Sequence, residues 1–123
     1  MDLSRSFILI FENWLLNLKP NKVFLSESEL QFILVNVVQQ LEEFGVSVSL
    51  FGSRVKGTHS KFSDVDILIK SNDYSPALIR KVSAIEEFLI SSNFPYKVDI
   101  VFERDIAESY RDDILQNLIE LKW

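Results

Sequence analysis

The chain has 123 residues, enough for one domain with a single core. Its 47% apolar and 25% charged residues, with only three Gly and three Pro, exclude a disordered or low-complexity chain. The absence of Cys excludes a disulfide scaffold and a thiolate metal site, and a net charge of −5 without a basic stripe argues against a long nucleic-acid partner.

The first predicted element is a helix from about Ser4 to Leu18, with Leu3, Phe7, Ile10, Trp14 and Leu18 at helical spacing. Phe11 and Leu15 widen this face beyond an ordinary core stripe, so it is core or partner surface. Glu12, Asn13 and Asn17 interrupt the apolar run, which is too short for a membrane span. The expectation is a cytoplasmic protein with no membrane contact. A second helix starts at Ser26, where Glu29 completes a capping-box pattern. Leu30, Ile33, Leu34, Val37, Val38, Leu41 and Phe44 follow as its core stripe, and Gly45 is its stop.

Val46–Phe51 is a buried strand, Gly52–Ser63 a short helical turn plus a polar loop, and Val65–Ile69 a second strand. Ser75-Pro76 opens a third long helix whose face is Leu78, Val82, Ile85 and Leu89, closed by Ser91-Ser92-Asn93. Tyr96–Phe102 is a third strand. Asp105 caps a last helix carrying Ile106, Tyr110, Ile114, Leu118 and Leu121. The order is α-α-β-(short helix)-β-α-β-α, a single domain over residues 1–123 with residues 1–20 as an additional N-terminal helix. Helices cover the sheet in an α/β or α+β sandwich.

The chemistry concentrates in two stretches, Gly52-Ser53-Arg54-Val55-Lys56-Gly57 and Ser63-Asp64-Val65-Asp66. Side chains alternate along a strand, so Asp64 and Asp66 share one face while Val65, Ile67 and Ile69 take the core face. Two neighbouring carboxylates repel unless a cation joins them, and hard oxygen donors suit Mg²⁺ or Mn²⁺. Asp99, flanked by core-facing Val98 and Ile100, joins the pair if its strand lies beside the second one. Three such carboxylates suffice for two metal ions. Gly52 lets a phosphate approach the backbone, and the Ser53 hydroxyl and the N–H groups of a helix start attract anions. Arg54 and Lys56 are phosphate contacts or exposed turn residues. His59 and Lys61 fit a solvated loop, and Ser63 either caps Asp64 or forms a turn.

Gly-Ser, ten intervening residues and Asp-x-Asp resemble the signature of the DNA polymerase β-like nucleotidyltransferase superfamily. The form Gly52-Ser53-Arg54 with Gly57 is similar to that of the minimal nucleotidyltransferases, the MNT proteins. The resemblance runs from about Phe44 to the end and implies an α+β fold with a three-stranded mixed sheet. It implies Asp64, Asp66 and Asp99 as metal ligands and catalytic carboxylates, Gly52, Ser53 and Arg54 at the nucleotide, and two Mg²⁺ ions. The implied reaction moves a nucleoside monophosphate, AMP from ATP, to an acceptor hydroxyl. It also implies a small helical HEPN protein as partner in a toxin–antitoxin pair, with a HEPN tyrosine as acceptor. Two other functions fit the residues: transfer to a small hydroxylated molecule, and a non-catalytic nucleotide-binding module that neutralises or scaffolds a partner.

Overall fold

A computed structural model describes residues 23–122. The helix expected over residues 4–18, with its wide apolar face, lies outside the described residues. Helix α1 (Glu27–Ile33) continues without a break into a π-wound turn over Leu34–Val38 and a 3-10 winding over Gln39–Phe44. The next elements are β1 (Ser47–Phe51), the one-turn helix α2 (Ser53–Lys56), β2 (Val65–Lys70), α3 (Pro76–Ser91) and β3 (Val98–Phe102). A 3-10 turn (Glu103–Asp105), α4 (Glu108–Gln116) and β4 (Ile119–Leu121) complete the chain.

Local chemistry accounts for the helix boundaries. The Ser26 hydroxyl accepts from Glu29 N at 3.2 Å, and Glu29 Oε1 accepts from Ser26 N at 2.8 Å. This reciprocal pair satisfies two N–H groups that no helix carbonyl can reach. Gly45 ends the helical run in the left-handed region, at φ 63°, which a side chain would strain. Ser75 Oγ accepts from Leu78 N at 3.2 Å, and Pro76 fills the first helical position, where its missing N–H costs nothing.

Among the described residues four strands form one mixed sheet, in the order β3-β2-β1-β4, in an α+β fold. β1 is antiparallel to both β2 and β4, whereas β2 and β3 are parallel and joined by the α3 crossover. Residues of neighbouring strands line up in rows. On one face stand Ile119, Leu50, Ile67 and Ile100, then Leu121, Val48, Ile69 and Phe102. The helical stripe Leu30, Ile33, Leu34, Val37, Val38 and Leu41 packs on that face with Leu78, Val82, Ile85 and Leu89 of α3. This is the core, and its removal from water is the main stabilising term.

Two expectations are corrected here. The sheet has four strands rather than three, because the segment expected as the end of the last helix leaves it at Asn117. Ile119–Leu121 instead pairs with β1, and Leu121 is buried opposite Val48 while Glu120 stays exposed. Pairing satisfies the backbone of an otherwise open β1 edge and buries Leu121, which one more helical turn would not do. The last helix is capped at Ala107 rather than Asp105, which lies in the 3-10 turn. Among the described residues, no helix is long and apolar enough to cross a membrane.

Candidate active site

The second face of the sheet carries the acidic residues. The parallel register places Asp66 directly opposite Asp99, and the antiparallel register places Phe51 on the other side of Asp66. Asp64 stands one residue before β2, two before Asp66, in the loop that delivers the strand. Asp66 and Asp99 therefore stand side by side at one end of the β2–β3 pair, with Asp64 near enough for its charge to act on Asp66. Farther along this face Leu68 and Ser49 are buried, whereas Asp66 and Asp99 are half open.

Burial, then the Asp99 and Asp64 charges, push the Asp66 carboxyl up to about 6, and Lys97 partly offsets this. Lys97, two residues before Asp99 and therefore on the same face, holds Asp99 Oδ1 at 3.3 Å. Glu86 on α3 is also raised, by burial and then by the Asp99 charge. The site thus concentrates negative charge beyond what one lysine balances.

That donor set fits a hard divalent cation: all the oxygens are carboxylate, they repel one another, and one sits half buried. Among the described residues no group of three or more His, Cys, Asp or Glu side chains is arranged to hold a metal ion. The acidic end is half open, so an ion placed there would take further ligands from waters or phosphate oxygens.

Gly52 follows Phe51, beside Asp66, with φ 82° and ψ −156°, a conformation reserved for glycine. A Cβ there would lie 3.2 Å from the Asp66 carboxylate carbon and collide with Oδ2. Gly52 O accepts from Val55 N and Lys56 N, both at 3.1 Å, closing the turn of α2. Ser53 opens that turn. Gly52 and Ser53 are thereby held against the acidic pair.

Arg54, read from the sequence as a phosphate contact or an exposed turn residue, is 5% exposed. Its Nη1 donates to Phe24 O at 2.9 Å, Nε to Ser63 O at 3.1 Å and Nη2 to Lys61 O at 3.4 Å. A buried guanidinium needs acceptors for its N–H groups, and these carbonyls provide them. Lys56 pairs with Asp113 of α4 at 2.7 Å. Ser63 forms a turn, its hydroxyl accepting from Ser60 N at 2.7 Å. His59 packs against Phe24 with ring centroids 5.0 Å apart. Sequence reasoning gave no part to Phe51, Lys97 or Tyr96. The two-residue spacing from Lys97 to Asp99 carried the signal for the lysine; nothing in the sequence marked Tyr96.

The sequence profile of the nucleotidyltransferase domain family matches residues 33–121. The chain belongs to that family. It is also 34% identical over 88 residues, 72% of its length and 75% of the relative's, to a Haemophilus influenzae protein named as the probable protein adenylyltransferase MntA. The matched span contains the Gly52-Ser53 turn, all three acidic residues and all four strands described above.

Proposed function

We propose that this nucleotidyltransferase moves AMP from ATP to a hydroxyl of a protein partner, using Mg²⁺ held by Asp64, Asp66 and Asp99. The observation that carries the reading is the Asp66–Asp99 pair across two parallel strands, next to the Gly52-Ser53 turn. The likeness to a protein named as an adenylyltransferase supports both the nucleotide and the protein acceptor. The resemblance to MNT proteins supports a HEPN-type partner and a tyrosine hydroxyl.

In this reading Gly52 and Ser53 seat the triphosphate, with backbone and hydroxyl donors at the β- and γ-phosphates. Asp64 and Asp66 would hold Mg²⁺ beside it, and the ion when bound would neutralise triphosphate charge. The acceptor oxygen bonds to the α-phosphorus, the bond to the bridging oxygen breaks, and pyrophosphate leaves. Asp99 stands on the acceptor side and takes the hydroxyl proton. Lys97 pairs with Asp99 Oδ1 at 3.3 Å and fixes its position on that side. Most of the rate gain then comes from positioning and fixed charge.

Calorimetry of ATP binding with and without Mg²⁺ tests this, comparing the natural chain with Asp64→Asn/Asp66→Asn. Metal-dependent binding that the variant loses is expected. A co-expressed partner should gain one nucleoside monophosphate in mass with the natural chain only. A folded chain that binds no triphosphate under either condition would defeat the proposal and leave a binding module. Pyrophosphate release with a small hydroxylated compound and no partner would move the acceptor to small molecules.

A further inference from the structure

We propose that Arg54 is a positioning residue, whose single guanidinium locks the segments leading into both acid-bearing strands. The inference rests on the transferase reading for its kinetic arm and on geometry alone for the rest. Three segments converge on this side chain. Ser63, whose carbonyl accepts from Nε at 3.1 Å, is bonded directly to Asp64. Lys61 O, at 3.4 Å from Nη2, pins the same loop two residues earlier. Tyr96, three residues before Asp99, lays its ring against the guanidinium, with Cζ 3.8 Å from the ring centroid. Phe24 closes the arrangement: its carbonyl accepts from Nη1 at 2.9 Å, and its N–H donates to Arg54 O at 3.0 Å.

The two clamped segments are themselves joined, since Val65 N donates to Lys97 O at 2.8 Å. The Asp66–Asp99 register therefore begins within a residue or two of the guanidinium's contacts. Glu29 at the start of α1 feels the same charge: burial would raise its carboxyl, but the bond from Ser26 N, with the Arg54 charge, holds it below its ordinary value.

The chemistry requires arginine. Three carbonyls lie around one plane with an aromatic ring on its face, and a planar fork of N–H donors satisfies all four contacts. A lysine ammonium is a point charge that cannot span the three carbonyls and stack at once. Because the guanidinium is buried with its donors turned to backbone oxygens, it acts on the reaction through Asp64 and Asp99, not through a phosphate.

The test compares Arg54→Lys and Tyr96→Leu with the natural chain and with Ile33→Val, a core variant that lowers stability without touching the clamp. Two readouts are taken: kcat and KM for ATP at saturating Mg²⁺, and amide exchange resolved along the chain. Expected for Arg54→Lys is a kcat loss of about tenfold to a hundredfold with little change in KM, as for a small misplacement of reacting groups. Exchange should quicken by about tenfold across residues 58–66 while Ile33–Val38 keeps its protection. Tyr96→Leu, which keeps the guanidinium and removes the ring, should show the same pattern more weakly. A raised KM with unchanged kcat would overturn the proposal in favour of a phosphate contact. A kcat loss no larger than that of Ile33→Val, or unchanged exchange in 58–66, would overturn it in favour of plain stability. If the natural chain shows no turnover with any partner, the transferase reading fails, and the exchange result alone still decides whether Arg54 holds the loop.

Discussion

Replacing Asp66 by Asn should make the protein more stable while abolishing its chemistry. Asp66 is half buried between two like charges, and in the absence of metal its carboxyl is pushed up from 3.8 to about 6. A shift of about two pH units corresponds to about 3 kcal/mol between the two protonation states, and solvent screening at a half-exposed site reduces that to about 1–2 kcal/mol. The native state binds the Asp66 proton more tightly than the unfolded chain does. This group's contribution therefore falls as pH rises from about 4 to about 6, and the full penalty persists above that. A neutral amide in its place would carry no such penalty at any pH; Asp66→Asn should gain about 1–2 kcal/mol over the natural chain at pH 7.5, and almost nothing near pH 4. For a domain of this size the gain is about 5–10 °C in Tm. Urea unfolding of both chains in a chelator at pH 4.5, 6.0 and 7.5 measures the difference, in which groups common to both chains cancel. Millimolar Mg²⁺ should then stabilise the natural chain more than the variant. A variant less stable than the natural chain at pH 7.5, or an advantage independent of pH, would refute the account of Asp66 as a charge held against its own preference.

Two further substitutions probe the turn beside the acids. Gly52→Ala forces a Cβ into the Asp66 carboxylate at a glycine-only φ and ψ, and should cost about 1–3 kcal/mol in thermal unfolding and eliminate triphosphate binding. Ser53→Ala removes only a hydroxyl, so Tm should move by less than a few degrees while calorimetric ATP affinity falls about tenfold to a hundredfold, the worth of one hydrogen bond to a charged group.

Much of the architecture is legible in local patterns because those patterns are local physics. The Ser26/Glu29 box, the Ser75-Pro76 start and the stripes of the α1 run and α3 each need only neighbours three or four residues away, and all appear in the structure. The alternation Val65, Ile67, Ile69 dictated that Asp66 leave the core face, and the rows of the sheet carry this through. The spacing from Gly52-Ser53 to Asp64 and Asp66 marked the stretch that carries the chemistry.

What depended on tertiary structure was every feature requiring two distant segments to choose each other. Alternation places Asp99 on a face but says nothing of which strand lies beside it; the α3 crossover and the rows Val65–Val98 and Ile67–Ile100 set the pairing with Asp66. The apolar spacing carries the last helix on to Leu121, and only the free edge of β1 turns Ile119–Leu121 into a strand. Arg54 looks the same in sequence whether it meets a phosphate or a carbonyl. The fold brings Phe24, Lys61, Ser63 and Tyr96 around it, and a buried guanidinium takes the acceptors within its reach.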